Sequence, residues 1–225
     1  MLLKDKIALL TGSTHNIGLA IARAFAREGA NVIVHSRHEE DAKKIAQELN
    51  GDYFAADVAL PNKVAALFDH IKKDHGRLDV LVNSVAQSSS AGILEATLDE
   101  WNRTMTINII NISAGSGERS SPGGAAYSVS KGAINSLTHQ AAADLAPTVR
   151  VNGLISGLVG TPIGRTDMGN RKPEYDVIPL RRIGRPEEVA EAAVFLASDK
   201  ASYITNTIIA VDGGRLNAMS SGSSR

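Results

Sequence analysis

Tyr127 and Lys131 stand four residues apart in a segment, Tyr127 to Ala146, whose spacing of apolar residues predicts a helix. At that spacing both side chains share one face, and the ammonium lies near the phenol. A neighbouring cation favours phenolate and draws the phenol's pKa down from about 10 towards the working range, so the tyrosine can give or take a proton. Such a pair is also commonplace on solvated helix faces, and spacing alone leaves both readings open. A second feature is the run Thr11-Gly12-Ser13-Thr14-His15-Asn16-Ile17-Gly18 between a β-rich run and a helical one. There free backbone N–H groups and the positive end of a helix dipole converge, which makes an anion cradle suited to a pyrophosphate. Gly12 permits a tight turn and Gly18 a close approach of helix to sheet; a plain tight turn is the alternative.

These residues need elements to hold them. Lys6 to Thr11, Asn31 to Ser36, Asp52 to Ala55, Val80 to Asn83, Ile109 to Ser113, Arg150 to Leu154 and Ile208 to Val211 read as buried strands. Helical spacing occupies Ile17 to Glu28, Glu39 to Leu49, Pro61 to His75, Thr97 to Ile107, Tyr127 to Ala146 and Pro186 to Ser198. Strand followed by helix, repeated, predicts an α/β fold with a doubly wound parallel sheet in three layers, α/β/α. Pro186 with Glu187 and Glu188 marks a helix start. Gly157 to Pro179, with three prolines and several glycines, reads as a long loop.

Composition narrows the function. The 225 residues, 43% hydrophobic, suit one domain, taken as 1–215 with a flexible polar tail over 216–225. Acids and bases balance at 24 each, so no global field grips nucleic acid or an anionic membrane. Cysteine is absent, which excludes disulfides, thiolate metal sites and cysteine nucleophiles. No apolar run reaches a membrane span and no signal peptide is legible, so the expectation is a cytoplasmic protein. No metal site is expected, because the six histidines lack ligand-like spacing with acids on one helix face.

The glycine loop, Asp57-Val58, Asn83-Ser84-Val85-Ala86 and Tyr127-x-x-x-Lys131, in this order, resemble the short-chain dehydrogenase/reductase family, most closely its 3-oxoacyl-carrier-protein reductase and sugar or alcohol dehydrogenase branch. The endings Ser156-Gly157-Leu158-Val159 and Val211-Asp212-Gly213-Gly214 extend the resemblance over nearly the whole chain. It implies a Rossmann-like fold and an oxidoreductase interconverting a carbonyl and a secondary alcohol by hydride transfer from a nicotinamide cofactor. In it, Tyr127 exchanges the proton, Lys131 tunes it and holds the nicotinamide ribose, Asp57 meets the adenine with Val58 beside the ring, and Asn83 supports the adenosine ribose. Gly12, Ser13, His15, Asn16, Ile17, Gly18, Ser36, Val85, Gly157, Val159 and Thr161 complete the implied cofactor contacts. A turn cap is the alternative role for Asp57. His35-Ser36-Arg37-His38 ends the second strand without an acid for the ribose hydroxyls, and Arg37 suits a 2′-phosphate, which favours NADP over NAD. A solvated helix-start residue is the alternative for Arg37.

The chain departs from the family's pattern in three places. Asn16 replaces a usual glycine, although asparagine tolerates left-handed backbone. The family's substrate-binding serine falls on Ala114, leaving Ser113 as the expected donor and Ser116 as a weaker substitute. Asn108 matches the family's relay asparagine, yet only 19 residues separate it from Tyr127. That is about half the usual interval, so helix and turn are missing there and the subunit contact they would build is shortened. A helix C-cap is the alternative role for Asn108, since a crossover ending there reaches the starting edge of the sheet. These departures keep open a catalytically impaired nucleotide-binding relic or a scaffold subunit.

Overall fold

The computed structural model describes residues 1–85, 108–119, 124–161 and 177–218. Seven strands, β1 (Ile7–Thr11), β2 (Asn31–Ser36), β3 (Asp52–Ala55), β4 (Val80–Asn83), β5 (Asn108–Ala114), β6 (Arg150–Ser156) and β7 (Ile208–Val211), form one sheet in the order β3-β2-β1-β4-β5-β6-β7. Every pairing is parallel. The chain reverses its direction of travel between β1 and β4, and ligands of such sheets bind in the crevice outside the carboxyl ends at that switch.

Among the described residues, five helices cover the sheet: α1 (Asn16–Arg27), α2 (Glu39–Leu49), α3 (Pro61–Asp74), α4 (Ala125–Leu145) and α5 (Pro186–Ala197). Alternation along β1 sorts them into layers. Ala8 and Leu10 pack with Ile21 and Phe25 of α1, Ile45 of α2 and Val189 and Leu196 of α5. Ile7 and Leu9 point the other way, into Leu67 and Ile71 of α3 and Leu145 of α4. All five residues of β1 are buried, so its first four are apolar and its one polar residue, Thr11, donates its hydroxyl to the Val82 carbonyl.

Strand and helix bounds differ from the sequence expectation by two residues at most, apart from Thr97–Ile107, which lies outside the described residues. The tail departs more. Expected to be loose from its start, it opens as a bonded turn: Asp212 accepts the Leu216 N–H, Ala218 N–H reaches the Gly214 carbonyl, and Arg119 donates to the carbonyls of Arg215 and Leu216.

Candidate active site

β1 delivers the chain into Gly12, whose φ of +66° favours glycine and whose added β-carbon would stand 3.2 Å from the Ser84 carbonyl oxygen at the end of β4. The two loops of the switch point therefore touch, and Thr11 Oγ1 ties them by accepting the Ser84 N–H at 3.2 Å. Gly18 is more constrained: a β-carbon there would lie 2.2 Å from the Gly12 carbonyl oxygen. Asn16 takes a φ of +52°, the left-handed backbone that asparagine tolerates. Ser13 is buried and clamped to β2, its N–H donating to the His35 carbonyl at 3.1 Å while its hydroxyl accepts the His35 N–H at 2.9 Å. Thr14 Oγ1 contacts His15 Nδ1 at 2.9 Å, and the Ile17 side chain packs against the core under the loop. The outcome is a rigid loop feeding the amino end of α1, the cradle a phosphate needs.

Around the crevice, Ser36 ends β2 and accepts the His38 N–H at 3.2 Å, next to an exposed Arg37. Asp57 accepts the Ala59 N–H at 3.0 Å, fixing the turn that holds Asp57 and Val58 ahead of α3. Asn83 donates to Asn111 at 2.9 Å, Asn111 to Thr138 at 3.0 Å, and Thr138 to the Ile134 carbonyl, a polar chain from β4 through β5 into α4. Asn111 and Thr138 escaped the sequence reading; their signal was an amide inside the apolar run Ile109-Ile110-Asn111-Ile112.

α4 carries the pair. Tyr127 is 42% exposed at its first turn, while Lys131 is 5% exposed and aims inward. Lys131 Nζ lies 5.7 Å from the Tyr127 ring centroid and donates to the Ile112 carbonyl at 3.1 Å. Burial pulls the ammonium below its ordinary pKa. A 3-10 turn, Gly115–Gly117, follows β5 and lies against α4, where a β-carbon on Gly117 would meet the Lys131 carbonyl carbon at 2.7 Å. That glycine, also missed in the sequence, sets how close the loop comes to the pair.

Two expected catalytic residues sit elsewhere. Asn108 opens β5 opposite Val80 and Arg150 and donates to the Ala197 carbonyl at the end of α5. Ala114 closes the same strand six positions on, about 20 Å away at roughly 3.3 Å per residue. Asn108 therefore sits at the amino end of the strand, away from the Tyr127–Lys131 pair, with its side-chain amide bonded to the end of α5. Ser113, 2% exposed, donates its hydroxyl to the Lys131 carbonyl at 3.3 Å, so its hydrogen is already spent on propping the helix. Ala114 is apolar, as the sequence states. The Ser116 hydroxyl is buried with no hydrogen-bond partner among the described residues.

On the other wall, the Gly157 N–H donates to the Val211 carbonyl, and a β-carbon on Gly157 would sit 2.5 Å from Asp212 Cα. Val159 bridges Gly184, and the Thr161 N–H turns back to the Val159 carbonyl at 2.7 Å. A cavity of about 420 Å³ opens beside this wall between Leu158, Leu180, Arg185 and Asp212, but neither Tyr127 nor Lys131 lines it. By sequence, substrate identity is expected to depend on the segments Ala86 to Ala96 and Val159 to Ile178; the first lies wholly outside the described residues and the second does so over 162–176.

A family model described as short chain dehydrogenase matches residues 6–110, and one described as enoyl-(acyl carrier protein) reductase matches 107–215. The 3-oxoacyl-acyl-carrier-protein reductase FabG of Chlamydia muridarum is 31% identical over 243 aligned positions, covering 95% of this chain and 98% of that one. That alignment is longer than the 225-residue chain, so the relative carries residues missing here. Oxidoreductase UcpA of Escherichia coli O157:H7 is 35% identical over 94% of this chain and 95% of its own. Among solved structures, a gluconate 5-dehydrogenase from Burkholderia cenocepacia, in complex with NADP and tartrate, superposes with a TM-score of 0.85 at 29% identity, over 96% of this chain and 97% of that one.

Proposed function

The chain belongs to the short-chain dehydrogenase/reductase family of oxidoreductases, and from that premise we propose that it is an NADP-dependent enzyme interconverting a carbonyl and a secondary alcohol, with 3-oxoacyl thioesters as the leading substrate class. The observation that carries this reading is Lys131 beneath Tyr127, a buried ammonium 5.7 Å from an exposed phenol at the carboxyl edge of the sheet.

The nucleotide fits the residues present. Gly12 and Gly18 let the loop close on the sheet and on α1, since a β-carbon on either would meet protein backbone, and the amino end of α1 so placed offers its free N–H groups to a pyrophosphate. Arg37 is exposed at the end of β2, where a forked guanidinium grips a 2′-phosphate. When bound, the nicotinamide supplies or accepts the hydride.

The protein's own part is proton transfer and positioning. Tyr127 donates its phenolic proton to the carbonyl oxygen in reduction and recovers it from solvent; in oxidation it takes the alcohol's proton. Lys131 stabilises the phenolate left behind. Ser113 holds the Lys131 turn to β5, and the polar chain Asn83–Asn111–Thr138 fixes α4 against the same face of the sheet about two turns further on. With alanine at 114, the unpartnered hydroxyl of Ser116 is our candidate for the second hydrogen bond to the carbonyl oxygen.

Ala114 is also the specific observation favouring a second reading, a nucleotide-binding relative with little turnover. An NADPH oxidation assay on a panel of ketones and 3-oxoacyl thioesters, with Tyr127→Phe as control, separates the two. Turnover that Tyr127→Phe abolishes supports the enzyme. NADPH binding without turnover on the whole panel supports the relic, and failure to bind NADPH overturns both.

A further inference from the structure

At the opposite end of the sheet from the nucleotide crevice, Asp52, His70 and His75 converge. Asp52 opens the edge strand β3, His70 lies in the last turns of α3 and His75 caps that helix. Their ligand atoms all fall within 4.8 Å of one another. His70 Nε2 and His75 Nε2 each stand 2.8 Å from the same oxygen, Asp52 Oδ2. The other carboxylate oxygen accepts the Tyr53 N–H at 2.7 Å, which orients Oδ2 towards the two rings.

His70 is the informative member. Its second nitrogen, Nδ1, lies 2.8 Å from Asp74 Oδ2, so both ring nitrogens face carboxylates. A neutral imidazole carries one N–H. Given to Asp74, that hydrogen leaves the Nε2 lone pair aimed at an oxygen lone pair of Asp52, and a positive centre between them resolves the conflict. An outer carboxylate on the far nitrogen is also the arrangement that orients metal-bound histidine. The Phe54 ring, 5.3 Å from the His70 ring, backs it from the strand side.

From this geometry we propose that Asp52, His70 and His75 form a binding site for a zinc-class divalent cation, with Asp74 as the carboxylate that orients His70. Two imidazoles and a carboxylate suit zinc or cobalt over magnesium or calcium, which prefer all-oxygen sites. His70 and His75 are separated by four residues, within the spacing common for zinc histidines. Bonds of about 2.0–2.2 Å place tetrahedral ligands roughly 3.3 Å apart, so each 2.8 Å pair opens by about 0.5 Å to admit the ion. Side chains 19–31% exposed leave an entry path and room for water in the fourth position. Far from Tyr127, the ion acts as a clamp: it fastens the end of α3 to the start of β3, closing the unit whose opposite end carries Asp57.

The test uses tag-free, chelator-stripped full chain titrated with zinc chloride against a chromogenic chelator, with the thermal midpoint recorded in parallel. One equivalent bound with micromolar or tighter affinity and a raised midpoint is expected, and cobalt should give the visible absorption of a tetrahedral site. Asp52→Asn and His75→Gln should each weaken binding at least tenfold, Asp74→Asn by roughly 10–100-fold, and His139→Gln not at all. Circular dichroism confirms that each variant is folded, and the two ligand variants are independent of one another. No saturable zinc binding, or binding that neither ligand variant weakens, overturns the site.

Discussion

The Ser113 hydroxyl donates to the main-chain carbonyl of Lys131 at 3.3 Å, joining the end of β5 to the helix turn that carries the catalytic pair. A hydroxyl so placed is a strut. Ser113→Ala should cost about 1 kcal/mol of stability, the usual net value of a neutral hydrogen bond, and lower kcat only modestly. Ser116→Ala should lower kcat by about 10²–10³, the loss expected when one donor to a developing oxyanion is removed, with stability nearly unchanged. Denaturant midpoints and turnover measured on both variants check this. A larger kcat loss at Ser113 than at Ser116 would exchange their roles.

Gly18 faces the Gly12 carbonyl so closely that a β-carbon has no room, and the atom in its way is backbone. Gly18→Ala must push α1 off the sheet or bend the loop. The expected outcome is destabilisation of about 1–3 kcal/mol, as for other overpacked sites, and at least tenfold weaker NADPH binding. Thermal melts and cofactor fluorescence titration read the two effects separately. Gly76→Ala is the control remote from the loop: nothing lies within 4 Å of its added β-carbon, but its φ of +72° should cost about 1–2 kcal/mol of stability while leaving NADPH affinity unchanged.

Arg37 is exposed at the carboxyl end of β2, and no acid stands at that strand tip. If it grips the 2′-phosphate, Arg37→Ala removes charge-assisted bonds worth about 1.5–3 kcal/mol. KM for NADPH should rise by roughly 10–100-fold while KM for NADH stays within a small factor. Steady-state kinetics with both cofactors decide it, and equal losses for the two would refute the assignment.

The strands were legible because residues buried on both faces form short continuous apolar runs, as in Val32-Ile33-Val34, and the helices because Ile21 and Phe25 recur at helical spacing. The phosphate loop was legible because its glycines answer local demands, as was the left-handed backbone of Asn16. What stayed hidden depends on contacts between distant segments. For Asn108 the sequence leaves a relay role and a helix cap both open, a crossover ending there reaching the starting edge of the sheet, and the pairing with Val80 places it at that end. Ser113 reads as a substrate donor until strand alternation turns it towards α4. Asp52 lies on another element from His70 and His75, so no helix-face spacing displays the trio.

His35 links folding to pH at the same loop. Its ring is buried behind the phosphate loop, where Nδ1 is 3.5 Å from the Gly12 N–H, a long contact in which the nitrogen accepts. Burial pushes the imidazole below its ordinary pKa of 6.5, with the Ala56 backbone and the Asp57 charge opposing more weakly. The folded state therefore resists a proton that the unfolded chain accepts. Above about pH 6.5 both states are neutral and the full stability is present. As pH falls below that value the unfolded chain takes up the proton first, and stability is lost until the folded-state pKa is passed. Urea denaturation of the protein and of His35→Asn between pH 8 and pH 5 should show the parent losing stability more steeply below 6.5. NADPH affinity of the folded protein should hold through that range and decline only at lower pH, once the buried ring itself is protonated and Nδ1 sets a donor against the Gly12 N–H. Parallel pH profiles for parent and variant would show that His35 is not the group responsible.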